Sequence, residues 1–244
     1  MTANIPQQMQ RCLTALKAHG FAARYAKNID EANGIVLDLA PQTSTIGIGD
    51  SVTLRQTGII EKLGQRGNPM INPFTRELTQ TPVKRDLFVD LCRKTLTADV
   101  FLTSVNAVTE DGKLMSIDYA GNRVAGMIFG APRIILMVGR NKITRDLEEA
   151  HDRVKNVITP VHAENKGRKT PCTATGRCSD CESPGRICGV TVILERKLAH
   201  FEYSVILIDE DLGLGWDPGW DEKRIAGIRN NYWQSSWSFA FKDK

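Results

Sequence analysis

RIILMVG (residues 133–139) is an unbroken apolar run between a charged residue and a glycine. A strand that is apolar at every position has both faces covered, which places it in the interior of a parallel or mixed sheet rather than on a half-wetted one. The segments on either side fit that placement. Upstream, DVFLTSV (99–105) reads as a second buried strand, and STIGIGD (44–50) as a third that ends in glycines. Ser51 then stands where the cap of the helix VTLRQTGIIEKLG (52–64) belongs. FAARYA (21–26) and PMINP (69–73) read as shorter strands, and YSVILID (203–209) and VTVILER (190–196) return the chain to the sheet.

Helical spacing fills the gaps. Ile5, Met9, Cys12, Leu13 and Leu16 recur on one face and stop before Gly20. Asp30 is placed to cap a helix through Ile35, Val36 and Leu39, and RDLFVDLCRKTLTA (85–98) carries Leu87, Leu91 and Lys94 or Thr95 along one side. After the central strand, Leu147, Ala150, Val154 and Ile158 predict a crossover helix. The fold class expected is a single α/β domain around a mixed, largely parallel sheet.

From 160 to 189 the periodicity stops, and glycines, prolines and charges follow one another without an apolar pattern. A segment of this length that builds no core is held by function or by a cross-link. It contains PCTATGRCSDCESPGRIC (171–188), which carries four of the six cysteines, Cys172, Cys178, Cys181 and Cys188, at spacing C-x5-C-x2-C-x6-C. The amino terminus lacks the pattern of a secretion signal and no run of eighteen apolar residues occurs, so the expected setting is soluble and cytoplasmic. Stable disulfides are uncommon there, and clustered thiols bind metal or carry redox chemistry. One C-x2-C knuckle flanked at unequal distances fits a 4Fe–4S cluster better than the paired knuckles of structural zinc, with zinc as the alternative. Arg168, Lys169, Arg177 and Arg186 surround the motif. Cys12 and Cys92, on apolar helix faces, are assigned to the core.

Two further loops are candidates for ligand contact. Gly47, Gly49, Asp50 and Ser51 lie between a strand and a helix start, where backbone amides can receive an anion. Glu110-Asp111-Gly112 reads as a hairpin turn, and Gly121-Asn122 opens a helix at Arg123. Glu110 and Asp111 are candidate catalytic carboxylates, Asn106 and Asn122 candidate orienting groups, and Arg123 a candidate partner for a substrate carboxylate. The histidines show no metal-ligand spacing; His162 alone lies near the cysteine segment. A net charge of +4 without a basic, aromatic-studded stripe argues against nucleic acid and leaves a small anionic ligand. The end of the chain holds Trp216, Trp220, Trp233 and Trp237 with Tyr232, Phe239 and Phe241, an aromatic density that calls for docking on the domain itself or in a homo-oligomer.

Taken together, SVNAVTEDGKLMSIDYAGNRVAGMIFGAPRIILMVGRNKI (104–143), the four-cysteine segment and VILIDEDLGLGWD (205–217) resemble the LUD-domain, or lactate-utilisation, family. The resemblance implies a fold similar to the sugar-phosphate isomerase and CoA-transferase superfamily, with ligands met at the glycine turn and the carboxyl ends of strands. It divides the chain into a helix and first strand (1–28), a LUD-like domain (29–215) bearing the insert 160–189, and an aromatic tail (216–244). It also implies a role in lactate-type organic-acid oxidation beside iron–sulfur redox partners. Two alternatives stand next to electron transfer: a stand-alone enzyme whose cluster acts as a Lewis acid on a small carboxylate substrate, and a zinc-stapled ligand- or partner-binding subunit.

Overall fold

The computed structural model describes residues 5–80, 83–237 and 241–242. Six strands form one wholly parallel sheet in the order Ala22–Ala26, Glu202–Ile208, Arg133–Gly139, Val100–Thr103, Ile46–Ile48, Met70–Ile71. The apolar run 133–139 is third in that order, with a paired neighbour on each side, and its side chains divide by alternation. Ile134, Leu136 and Val138 enter one hydrophobic cluster with Leu16, Phe101 and Leu207, while Ile135 and Met137 enter another with Leu54, Leu102 and Ile206. Each fully buried aliphatic side chain contributes roughly 1.5–3 kcal/mol, so a strand loaded on both faces is the main anchor of the sheet.

The pairings that are not parallel lie apart from this sheet. Val190–Leu194, Leu114–Asp118, Ala107–Thr109 and Ile143–Thr144 form a second, four-stranded sheet whose first two pairings are antiparallel. The hairpin read at residues 110–112 joins two of its strands, with Gly112 at φ 85°. VTVILER therefore pairs with Leu114–Asp118 and not with the large sheet. Alternation marks a strand but does not name its neighbour.

Most helices stand where the spacing puts them. Gln7–Ala18 buries Met9, Cys12, Leu13 and Leu16 and stops before Gly20 at φ 87°. Ser51 caps Val52–Thr57 by accepting from the Leu54 amide at 3.3 Å. Three details differ from the sequence reading. Asn28, not Asp30, caps Ile29–Leu39, accepting from the Glu31 amide at 3.0 Å. Helix Arg85–Thr95 is rotated, so that Cys92 and Thr95 are buried while Leu87 is exposed. The periodicity also does not end at 158. Leu147–Arg153 runs through a π turn, Val154–Ile158, into a further helix, Thr159–Asn165, that buries Pro160 and Ala163. Pro160 has no N–H to give to a preceding turn, and a widened turn just before it lets the helix pass. Read along the sequence, that proline looks like a stop.

The aromatic tail folds onto its own domain. Helix Glu222–Ser235 buries Ile228 and Tyr232. Trp220 covers the guanidinium of Arg224 at 3.6 Å, and Trp237 that of Arg55 at 4.0 Å. Phe239 lies outside the described residues. Among the described residues no helix is long and apolar enough to cross a membrane.

Candidate functional site

A cavity of about 530 Å³ opens at the carboxyl ends of the parallel strands, the place where open α/β sheets receive ligands. Ile46–Ile48 delivers Asp50 and Ser51 to it, and Val100–Thr103 delivers Ser104, Val105 and Asn106. The turn after Arg133–Gly139 delivers Lys142, and the helical arm 159–165 delivers Thr159 and His162, with Lys166 just beyond it. Asn122 and Arg123 come from the helix above the smaller sheet.

Of the residues singled out in the sequence, the cavity brings together Asp50, Ser51, Asn106, Asn122 and Arg123. Gly47 and Gly49 lie beneath it and are needed for packing. A Cβ at Gly47 would stand 2.5 Å from the Thr95 carbonyl oxygen, and one at Gly49 2.8 Å from the Phe101 ring and the Thr103 hydroxyl. Glu110 and Asp111 do not line the cavity. The Glu110 carboxylate receives Arg11 at 2.5 Å and Gln8 at 3.0 Å, and Asp111 pairs with Lys113 at 2.9 Å. Glu110 ties the hairpin to the first helix, and Asp111 braces the turn from within.

Arg123 is placed as expected but its donors are committed. Nη1 donates to the Ser104 carbonyl at 2.9 Å and the Ser116 hydroxyl at 3.4 Å; Nη2 donates to Asn106 Oδ1 at 2.9 Å and the Ile117 carbonyl at 2.6 Å. It offers the cavity a fixed positive charge rather than a free fork. Asp118 accepts from the amides of Tyr119 at 2.8 Å and Val124 at 3.1 Å, locking the start of Asn122–Ile128.

The groups that sequence reasoning missed are cationic. Lys142 is 5% exposed, and its Nζ donates to Thr53 Oγ1 at 2.8 Å, Ser104 Oγ at 2.8 Å and the Val105 carbonyl at 2.9 Å. Burial, with Arg123 nearby, pushes its pKa down to about 7, so near neutrality the amine can hold or release a proton. Arg55 donates to Asp50 at 2.5 Å. Burial works to raise the Asp50 pKa, but Arg55, Lys166 and His162 outweigh it and hold the carboxyl below its ordinary value. His162 is hydrogen-bonded through Nδ1 to the Tyr232 hydroxyl, and burial with Lys166 beside it pushes the imidazole down to about 4. It is neutral at physiological pH. The available signal was a lysine three residues beyond an apolar strand, in GRNK, where a charged side chain reaches a strand's carboxyl end.

The cysteine segment forms part of the cavity wall: Arg168 before it and Ile187 within it both line the cavity. Cys172 and Cys188 are buried, Cys178 and Cys181 half-buried, and none of residues 173–186 is buried. Among the described residues no three histidine, cysteine, aspartate or glutamate side chains are grouped to hold a metal ion. The donor chemistry and the turn nevertheless suit one. The Asp180 amide donates to Cys178 Sγ at 3.4 Å, and Asp180 is the one non-glycine among the described residues at positive φ, 47°. That bond orients the sulfur at the first position of a C-x2-C turn. Arg186 braces the turn through the Cys181 carbonyl and Asp180, each at 2.7 Å. Residues 173–186, which carry Cys178 and Cys181, are not pinned by burial, whereas Cys172 and Cys188 are buried on either side of them. Cys12 and Cys92 are buried elsewhere, and burial pushes both thiols up to about 12.

The profile of the LUD domain matches residues 9–208. The chain belongs to the LUD domain family. That match spans the parallel sheet, the hairpin and the whole cysteine segment, and ends with the strand Glu202–Ile208. This LUD chain is also similar to the crystal structure of a DUF162 family protein from Deinococcus radiodurans, with a TM-score of 0.44 and 12% identity over 84% of this chain and 96% of that one. No curated protein matches it.

Proposed function

We propose that this LUD protein is an iron–sulfur enzyme that binds a small organic acid of the 2-hydroxy type in the cavity and takes part in its oxidation. One observation carries the reading: the four-cysteine segment and the cationic cavity share a wall, through Arg168 and Ile187. The reaction class is oxidation of a carbinol to the 2-oxo acid: the hydroxyl proton passes to Lys142, the carbon-bound hydrogen leaves as a proton to solvent with two electrons left behind, and those electrons pass one at a time to an iron–sulfur partner protein that accepts both. Bound by Cys172, Cys178, Cys181 and Cys188, a 4Fe–4S cluster supplies one-electron carriage between the cavity and that partner.

The chain's own residues supply the rest. Arg123 holds a positive charge over the strand ends that attracts the substrate carboxylate, and Asn122 reaches the same space. Lys142, in its neutral form, receives the hydroxyl proton at Nζ. Its three oxygen partners hold the resulting ammonium in place. The half-buried thiols Cys178 and Cys181 give the segment a solvent-facing side, and the buried Cys172 and Cys188 an inner one, an arrangement suited to passing electrons outward.

The test is anaerobic production in iron-replete medium, followed by iron, sulfide and zinc quantification and an absorption spectrum. About four iron and four sulfide per chain, with bleaching on reduction, is expected. A colourless protein, or one that carries zinc alone, refutes the reading, and the second result favours a zinc-stapled binding subunit.

A further inference from the structure

The far corner of the cavity holds cationic donors that no partner in the fold uses. Among the described residues Arg55 Nη1, Arg168 Nε and Thr159 Oγ1 are buried without a hydrogen-bond partner, and all three residues line the cavity. A buried guanidinium nitrogen left unpaired costs free energy, so the corner is built for something that accepts. The rest of Arg55 is held. The Arg55 side chain is 7% exposed; Nη2 is bound to Asp50, and Trp237 covers its face at 4.0 Å. Arg168 lies over the Tyr119 ring at 5.2 Å, with Nε buried and unpaired. Lys166 is tied to the Trp237 carbonyl and feels Asp50, Arg55 and Arg168. Arg55, Lys166 and Arg168 outnumber the one carboxylate that Lys166 feels, Asp50, and that excess of positive charge suits a dianion.

We propose that Arg55, Lys166, Arg168 and Thr159 form a phosphate subsite, so that the substrate is a hydroxy acid bearing a phosphate monoester rather than a free three-carbon acid. This rests on the reading of the Lys142 and Arg123 end as the hydroxy-acid site. A cavity of about 530 Å³ falls in the range that encloses ligands much larger than lactate. His162 lies within reach of both ends, feeling Arg123 as well as Lys166, Asp50 and Arg55.

The experiment is calorimetric titration of the full chain with inorganic phosphate, acetate, L-lactate and 3-phosphoglycerate, each against wild type, Arg55→Gln and Arg168→Gln. Expected is binding of phosphate but not acetate at millimolar concentration, with 3-phosphoglycerate at least ten-fold tighter than L-lactate. Either variant should weaken phosphate and 3-phosphoglycerate by about ten- to a hundred-fold, the loss of one charge-assisted hydrogen bond, with L-lactate affinity unchanged. Thermal melts identify a variant that fails to fold, and Thr159→Val, which removes one hydroxyl and no charge, then supplies the second measurement. Wild type that ignores phosphate, or folded variants that bind it undiminished, overturns the subsite. Phosphate binding that persists while L-lactate and 3-phosphoglycerate are treated as their anionic groups alone, in protein free of iron, sinks the hydroxy-acid reading and leaves the subsite standing.

Discussion

Replacing Lys142 with methionine should change how stability depends on pH. In the fold the amine is buried and its pKa is pushed down to about 7, against an ordinary lysine value of 10.5. Below pH 7 both folded and unfolded chains carry the proton, and folding bears the whole cost of a buried charge. Above 10.5 neither carries it and the cost is gone. Between the two values the unfolded chain binds a proton that the folded one has released, so stability rises with pH. The slope is about 1.4 kcal/mol per pH unit. From pH 7.5 to 9.5, wild type should therefore gain roughly 2–3 kcal/mol relative to Lys142→Met. Using the difference between the two proteins cancels every other titrating group. Urea denaturation followed by tryptophan fluorescence at pH 7.5, 8.5 and 9.5 measures it. A difference that stays flat across that range would mean that the oxygens of Thr53, Ser104 and Val105 hold the lysine protonated, and Lys142 could not then serve as a proton acceptor near neutrality.

Packing and thiol chemistry give further checks. Gly126→Ala places a Cβ 2.4 Å from the wholly buried Phe101 ring and should destabilise by about 1–3 kcal/mol, whereas Gly34→Ala, in helix Ile29–Leu39 with open space around it, should stabilise by roughly 0.5–1 kcal/mol; thermal melts compare the two. In metal-free protein, iodoacetamide at pH 8 should modify Cys178 and Cys181 well before Cys12 and Cys92, which are buried and high in pKa; peptide mass mapping reads the order, and early loss of Cys12 would contradict its place in the core. Cys178→Ser should lower metal content to near zero while Cys92→Ala leaves it unchanged, as measured by elemental analysis.

The hydrophobic pattern was enough to find the strands, because burial on both faces writes itself into residues 133–139 and 203–208 without reference to anything distant. Ser51 as a cap and the hairpin at Gly112 were legible for the same reason: each depends on neighbours a few residues away. The four cysteines announced themselves by spacing alone. What the chain by itself could not state was assembly. It did not show that 190–194 pairs with 114–118, that the helical arm runs past Pro160, or that Arg55, Lys142, Lys166 and Arg168 meet in one cavity. A lysine in a sequence is a surface residue by default. Only the closure of strand ends over Lys142, and of Trp237 over Arg55, removes the water that would otherwise make those charges ordinary.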